Sequence, residues 1–293
     1  MPLIQVIVLA AVQGITEFLP VSSTAHLFLI PWLLGWNDPG LAFDVALHVG
    51  TLVAVLLFFL KTWVDLTLAG FGMRPVFTSR HASSDRAGGK VSGASPELEQ
   101  NRALIWLLAL ATIPAGVAGW LFHEQVETTW RSPFIIAAAM ILVALVMAWG
   151  EKAGRQEKGL ESVGLADSLW IGFSQALALV PGVSRSGITI TGGLFRGLKR
   201  ETAARFSFLL STPVIAGAAL KEFHGFPHHR VPEGMGTPFG LGVLVSAIVG
   251  YATIAYFLKY LQFGTFKIFI YYRIVFGIIV LALAFFFHLG SGF

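Results

Sequence analysis

Two stretches of this chain hold side chains able to do chemistry. The first is Pro181-Gly182-Val183-Ser184-Arg185-Ser186-Gly187-Ile188-Thr189, set between two apolar runs. Glycines let backbone N–H groups turn toward one point, as in anion-binding nests. A guanidinium offers a planar fork that fits a phosphate, and the hydroxyls of Ser184, Ser186 and Thr189 add donors. Read locally, this is a phosphate cradle; the plainer reading is a polar turn with Arg185 snorkelling to lipid headgroups. The second stretch runs from Gln13 to His26 as Gln-Gly-Ile-Thr-Glu-Phe-Leu-Pro-Val-Ser-Ser-Thr-Ala-His. Gln13 and Glu17, at i and i+4, share one face of a helix, and Ser22, Ser23, Thr24 and His26 follow just past Pro20. A carboxylate, an imidazole and hydroxyls make an acid/base and nucleophile set. Glu17 with Gln13 also offers oxygen ligands to a hard divalent cation, Mg²⁺ or Ca²⁺. Simpler roles compete here too: Ser22 and Thr24 as helix N-caps, and His26 as a partner of a carbonyl at a helix break. Glu17 is hardest to dismiss, because a buried carboxylate needs a partner. Arg185 is the natural one if the two stretches meet.

Whether they meet depends on the elements that carry them. The chain is 55% hydrophobic and only 12% charged, with a mean hydropathy of +0.74; soluble domains carry roughly twice that charge. This composition belongs to a polytopic membrane protein whose apolar bulk lies in spans. The net charge of +4 then reflects cytoplasmic loops and anionic lipid rather than nucleic acid. The absence of Cys excludes disulfides and thiolate metal sites. The N-terminus lacks a basic n-region and an A-x-A-like cleavage site, so it reads as part of the mature fold. Residues 2–12 and 27–34 are apolar but too short to span, and with the polar break between them they describe a re-entrant hairpin over 2–34. Residues 165–194 describe a second. Spans are predicted over 41–60, 102–122 and 134–149, and again over 206–220, 239–258 and 268–287. The polar, Gly/Ser-rich stretch 61–101 is predicted as a cytoplasmic loop.

Each half, 1–150 and 165–289, therefore reads as a hairpin followed by three spans, within a single membrane domain. Aligning Pro20 with Pro181 puts Ser23 on Ser184. Three spans between the hairpins is an odd number, so the second half enters from the opposite face. The expected fold class is an all-α integral membrane protein with an inverted-topology repeat, its two breaks meeting near the midplane. That count collects nearly all Lys and Arg on one face, and the positive-inside rule makes this face cytoplasmic and puts both termini outside. Other polar residues in the spans read as structural. His48, beside Gly50 and Thr51, is expected to bond across a helix interface. Gln262, Lys267 and Arg273 are expected to be anchors near a cytoplasmic helix end.

The run from Gln13 to His26, the stretch from Pro181 to Thr189, and Phe195-Arg-Gly-Leu-Lys-Arg-Glu-Thr-Ala-Ala-Arg-Phe-Ser207 closely resemble the undecaprenyl-pyrophosphate phosphatase (bacitracin-resistance) family over the whole length. One departure is Gln13, where many members have Glu; the 61–101 loop also looks longer than typical. The resemblance implies hydrolysis of undecaprenyl pyrophosphate to the monophosphate and inorganic phosphate with a divalent cation. This recycles the lipid carrier of peptidoglycan synthesis and confers bacitracin resistance. It also implies a multi-pass protein of the bacterial inner membrane with an outward-facing site. On that carry-over Glu17, Ser23, His26, Ser184, Arg185 and Thr189 fall on the family's functional positions. We read Glu17, Ser23, His26 and Arg185 as catalytic, with Ser23 the expected nucleophile and water activated by Glu17 or His26 the alternative. Ser22, Thr24, Ser184, Ser186 and Thr189 bind pyrophosphate, and Glu17 and Gln13 are the metal candidates. The partners expected are the prenyl pyrophosphate, the lipid bilayer and, as one open assembly, a homodimer; no nucleic acid is expected. The rival from another class is a secondary transporter or flippase for a phosphorylated lipid, since inverted repeats and broken helices are also transporter architecture.

Overall fold

The structure is a computed structural model, described for residues 1–74, 76–77, 102–127, 130, 132–225 and 236–290. Regular secondary structure among these residues is helical, apart from one isolated bridge between Lys158 and Leu198. In chain order the α-helices are α1 (Leu3–Thr16), α2 (Ser23–Leu34), α3 (Leu41–Phe58), α4 (Leu60–Gly70), α5 (Leu104–Leu121), α6 (His123–Glu127), α7 (Pro133–Ala153), α8 (Leu165–Ala176), α9 (Arg185–Phe195), α10 (Arg200–Gly225), α11 (Gly236–Leu261) and α12 (Lys267–Gly290). Six of them, α3, α5, α7, α10, α11 and α12, are long and apolar enough to cross a membrane. In contrast, α1 has 14 residues, which at 1.5 Å per residue is about 21 Å, short of a hydrocarbon core of about 30 Å. With 12, 12 and 11 residues, α2, α8 and α9 are shorter still.

The short helices lie against the long ones. α1 packs on α11 and α8 on α5; α3 packs on α11 and α10 on α5; α7 pairs with α12, and α3 with α10. Small residues make the first two approaches close, as in lipid-embedded helix pairs. A Cβ on Gly14 would lie 2.8 Å from Val249 Cβ, and one on Gly172 would lie 2.9 Å from Ala111 Cα. α10 is the central helix, with 67% of its most apolar window buried, more than any of the other five. Its Phe208 meets Phe18 edge-to-face at 5.3 Å, so the core closes directly behind the first break.

Two boundaries differ from the sequence reading. α10 begins at Arg200 rather than 206 and runs to Gly225. Its charged first turn is held by protein: Arg200 pairs with Glu151 at 2.6 Å and Arg205 with Glu201 at 2.8 Å. The stretch expected to be loop from residue 61 is helical as far as Gly70. Leu66 and Ala69 face inward from α4, and the indole N–H of Trp106 on α5 donates to the Gly70 carbonyl at 3.1 Å. Residues 78–101 of that expected loop lie outside the described residues.

Candidate active site

Both half-length helix pairs break in the same local conformation. Ser22 (φ 75°, ψ 96°) and Ser184 (φ 72°, ψ 114°) sit at positive φ and cap α2 and α9. The Ser22 hydroxyl accepts from Ala25 N–H at 3.4 Å and the Ser184 hydroxyl from Gly187 N–H at 3.1 Å. For a residue with a Cβ this backbone is strained, and it persists where the surroundings over-determine it. Both serines are thus N-caps, and both hydroxyls also line a cavity. The counterpart of Ser184 is therefore Ser22, not Ser23 as the alignment of the prolines suggests. One residue separates Pro20 from its cap, whereas two separate Pro181 from its own. Ser23 accordingly stands where Arg185 does, at the first position of its helix.

These two first-position residues converge on one carboxylate. Glu17, just past the end of α1, is 5% exposed. Its Oε1 accepts from Arg185 Nη2 at 3.1 Å. Its Oε2 accepts from Ser23 Oγ at 2.7 Å and from the Gln13 amide at 3.1 Å. Arg185 also donates from Nη1 to the Ser207 carbonyl at 3.2 Å, and its buried Nε has no hydrogen-bond partner among the described residues. In front of this group lies a cavity of about 240 Å³. Its lining includes the polar residues Glu17, Ser22, Ser23, Thr24, Ser184 and Arg185 and the apolar residues Val45, Val180, Val214, Ile215, Ala218 and Ala219.

The other sequence candidates stand behind the cavity. Gln13 is fully buried. Ser186 donates to the Leu19 carbonyl at 2.9 Å and contacts the Ser184 hydroxyl at 3.2 Å, tying the two breaks together. Thr189 donates to the Arg185 carbonyl and meets the Ser207 hydroxyl, both at 2.7 Å. The His26 ring points away from Glu17. Its Nδ1 lies 2.7 Å from the Ser22 carbonyl and its Nε2 2.6 Å from the Tyr272 hydroxyl, and the ring stacks on Phe276 with centroids 4.7 Å apart.

Comparison with known proteins gives this arrangement a family. The family model described as bacitracin resistance protein BacA matches residues 6–279. The chain belongs to the BacA family. It is 45% identical over 282 residues to the undecaprenyl-diphosphatase of Moorella thermoacetica, covering 96% of this chain and 98% of the relative. It is 43% identical to that of Pelotomaculum thermopropionicum, covering 97% of each chain, and 44% identical to that of Geobacter metallireducens, covering 95% and 97%.

Two residues of this BacA-family chain belong to the site although the sequence reading makes them structural. His48, near the middle of α3, lines the cavity with its Nε2 3.4 Å from Glu17 Oε2. Instead of bonding across a helix interface, its Nδ1 faces the Asp44 carbonyl of its own helix at 2.7 Å. Arg273 is no interfacial anchor: it is fully buried. Its Nη2 donates to the carbonyls of Gly182 and Val183 at 2.9 and 3.0 Å, its Nη1 to Pro20 at 3.3 Å and its Nε to Met140 at 3.2 Å. One guanidinium thus holds the carbonyls that both breaks free. The available signal was depth. Arg273 stands six residues beyond Lys267 at the start of α12, about 9 Å along the axis, too far for a headgroup anchor. For His48 the signal was an imidazole in an otherwise apolar span, which costs little to read as a packing residue.

Proposed function

We propose that this protein hydrolyses undecaprenyl pyrophosphate to undecaprenyl phosphate and inorganic phosphate, recycling the lipid carrier of peptidoglycan synthesis. The observation that carries the reading is the meeting of Glu17, Ser23 and Arg185 at one cavity that is also lined by apolar side chains. A prenyl pyrophosphate has that mixed character: two phosphates for the polar residues and a tail for lipid. The N-termini of α2 and α9 both open on the cavity, and helix N-termini favour anions. Arg185, with the hydroxyls of Ser22, Thr24 and Ser184, binds the phosphates and stabilises charge as the anhydride bond breaks. Ser23 Oγ attacks the terminal phosphorus while Glu17 takes its proton. Ser186 and Thr189 hold the breaks in register, and His26 acts on the site through the Ser22 backbone.

A divalent cation, Mg²⁺ or Ca²⁺, fits this site as a companion of the pyrophosphate. Among the described residues Ser23 and Gln13 donate to Glu17 Oε2, whereas Arg185 alone donates to Oε1. Glu17 would hold the ion together with substrate oxygens, and Gln13 would orient the carboxylate from behind. When bound, such an ion would supply Lewis-acid neutralisation of the phosphate charge.

For the fold, the proposal is an inverted repeat of two re-entrant hairpins, each followed by three spans. Its support is an exchange symmetry. Swapping the halves turns the α1–α11 contact into α8–α5 and the α3–α11 contact into α10–α5, and returns the α3–α10 and α7–α12 pairs to themselves. The matched φ and ψ of Ser22 and Ser184 point the same way. Lys152, Lys158, Arg196, Lys199, Lys259 and Lys267 fall at one end of the spans, which the positive-inside rule makes cytoplasmic. The cavity is lined by early α3 and late α10, which belong to the other end, so the site faces outward in the inner membrane.

The deciding assay is phosphate release by purified protein in detergent, with and without a chelator. Release that a chelator stops and Mg²⁺ or Ca²⁺ restores is expected. A flippase of the same architecture releases none, because transport has no meaning without two compartments. Ser23→Ala lowers the rate about 10³-fold or more, and rapid quenching of wild-type turnover traps phosphate on Ser23. Label on another residue, or on none, removes Ser23 as nucleophile.

A further inference from the structure

We propose that Tyr272 is a positioning residue for Ser23, acting through the His26 ring on the backbone of the first break; this rests on the hydrolase reading above. His26 is buried, and both of its ring nitrogens are engaged. The Ser22 carbonyl can only accept, so His26 Nδ1, 2.7 Å away, carries the hydrogen. Among the described residues no carboxylate lies within ion-pair distance of the ring, and a buried imidazole without a countercharge is neutral. Its Nε2 is then an acceptor, and the Tyr272 hydroxyl, 2.6 Å away, donates to it. Two hydrogen bonds in series thus run from α12 through the ring to the peptide that joins Ser22 to Ser23.

That peptide sets the aim of the nucleophile. Ser22 holds φ 75° and ψ 96°, a backbone that a residue with a Cβ keeps only where its surroundings over-determine it. Among the described residues its carbonyl otherwise receives only the His26 N–H, at 3.4 Å, so the ring supplies the stronger of its two bonds. A turn of this peptide swings the next residue, Ser23, whose Oγ donates to Glu17 Oε2 at 2.7 Å. Neither His26 nor Tyr272 lines the cavity, so both act on the site from behind it.

Stacking alone does not fix the ring. The planes of His26 and Phe276 lie within 13° of each other with centroids 4.7 Å apart, which sets the plane of the imidazole but lets it turn within that plane. The hydroxyl at Nε2 removes this last freedom. It also polarises the Nδ1–H and so strengthens the bond to the Ser22 carbonyl. Inside a bilayer no water stands in for the missing donor. Tyr272 and Arg273, consecutive on α12, thereby divide the work: one reaches the Ser22 carbonyl through His26, the other holds those of Pro20, Gly182 and Val183 directly.

The test uses purified full-length protein in detergent with a prenyl pyrophosphate. Tyr272→Phe keeps the ring and its stack on Phe276 and removes only the hydroxyl. It is expected to lower kcat about 10-fold, the lower end for a group that orients a functional histidine, and to leave KM within about twofold, because Ser184 and Arg185 stand on the other break. His26→Asn keeps a donor near the Nδ1 position but cannot reach Tyr272. Adding Tyr272→Phe to it is expected to cost nothing further, since the hydroxyl acts only through the ring. In protein labelled with ¹⁵N-histidine, the Nε2 resonance of His26, assigned by its loss in His26→Asn, is expected to move toward that of a free acceptor in Tyr272→Phe. A wild-type kcat in Tyr272→Phe, a loss seen in KM alone, an unmoved Nε2 resonance, or a further loss in the double variant each overturns the assignment and leaves the hydrolase reading intact. A wild-type protein that releases no phosphate overturns both.

Discussion

Glu17→Gln lowers the turnover of purified protein by about 10³-fold, a barrier increase of about 4 kcal/mol, without raising KM. The amide keeps the shape of the carboxyl but cannot take the Ser23 proton from 2.7 Å away. The charge balance of the site explains the behaviour of KM. Glu17 is ion-paired with the largely covered guanidinium of Arg185 at 3.1 Å. Neutralising it leaves an uncompensated positive centre that an anionic substrate relieves, so binding strengthens while chemistry fails. Without substrate, the variant loses stability because one partner of a buried ion pair is gone, a cost of about 3–5 kcal/mol. Inorganic pyrophosphate therefore raises the melting temperature of the variant more than that of wild type. Arg185→Lys is the contrasting case. It keeps the charge but cannot reach both Glu17 Oε1 and the Ser207 carbonyl as the fork does, so KM rises along with the loss of turnover. Near-wild-type turnover for Glu17→Gln would remove the carboxylate from the proton transfer.

The ion pair at the centre of this result is legible in the sequence because the physics there is local and strict. A carboxylate and a guanidinium inside apolar segments each require a partner, and each is the other's best candidate. Span positions are legible for the same reason, since length and hydropathy are additive along the chain. What resists reading depends on a third element. Arg273 and Lys267 look alike in sequence, yet one is enclosed by carbonyls from α7 and both breaks while the other lies at the surface. The polar face of α4 reads as loop until Trp106 of another helix is seen to cover its end. The one-residue shift between Ser22 and Ser23 has a sharper cause. Prolines mark where a helix stops, but the register of the next helix is set by whichever hydroxyl reaches its free N–H groups. The caps, not the prolines, mark the equivalent positions of the two breaks.

Arg273→Met gives the largest structural effect expected of any single substitution here. Arg273 has no carboxylate within ion-pair distance among the described residues; its charge is met by carbonyl dipoles of Pro20, Met140, Gly182 and Val183. The carbonyls of Pro20, Gly182 and Val183 are free because the breaks interrupt helical bonding, and inside a bilayer no water replaces the lost donor. Each unpaired buried carbonyl costs about 1–3 kcal/mol, so losing the fork from the three break carbonyls costs at least about 3 kcal/mol by the low end of that range. Few domains survive such a loss with a unique structure. Purified Arg273→Met is expected to run as a broad or aggregated species on size exclusion and to release no phosphate. Arg273→Lys separates assembly from charge. A single ammonium keeps the positive potential behind the cavity but cannot reach α7 and both breaks at once. It is expected to be monodisperse, with a melting temperature lowered by about 5 °C or more and turnover reduced at least 10-fold, because Ser23 and Arg185 are held in place by the backbone that Arg273 fastens. A fully active, thermally unchanged Lys variant would show that charge alone matters at this position and that the breaks hold their geometry without the fork.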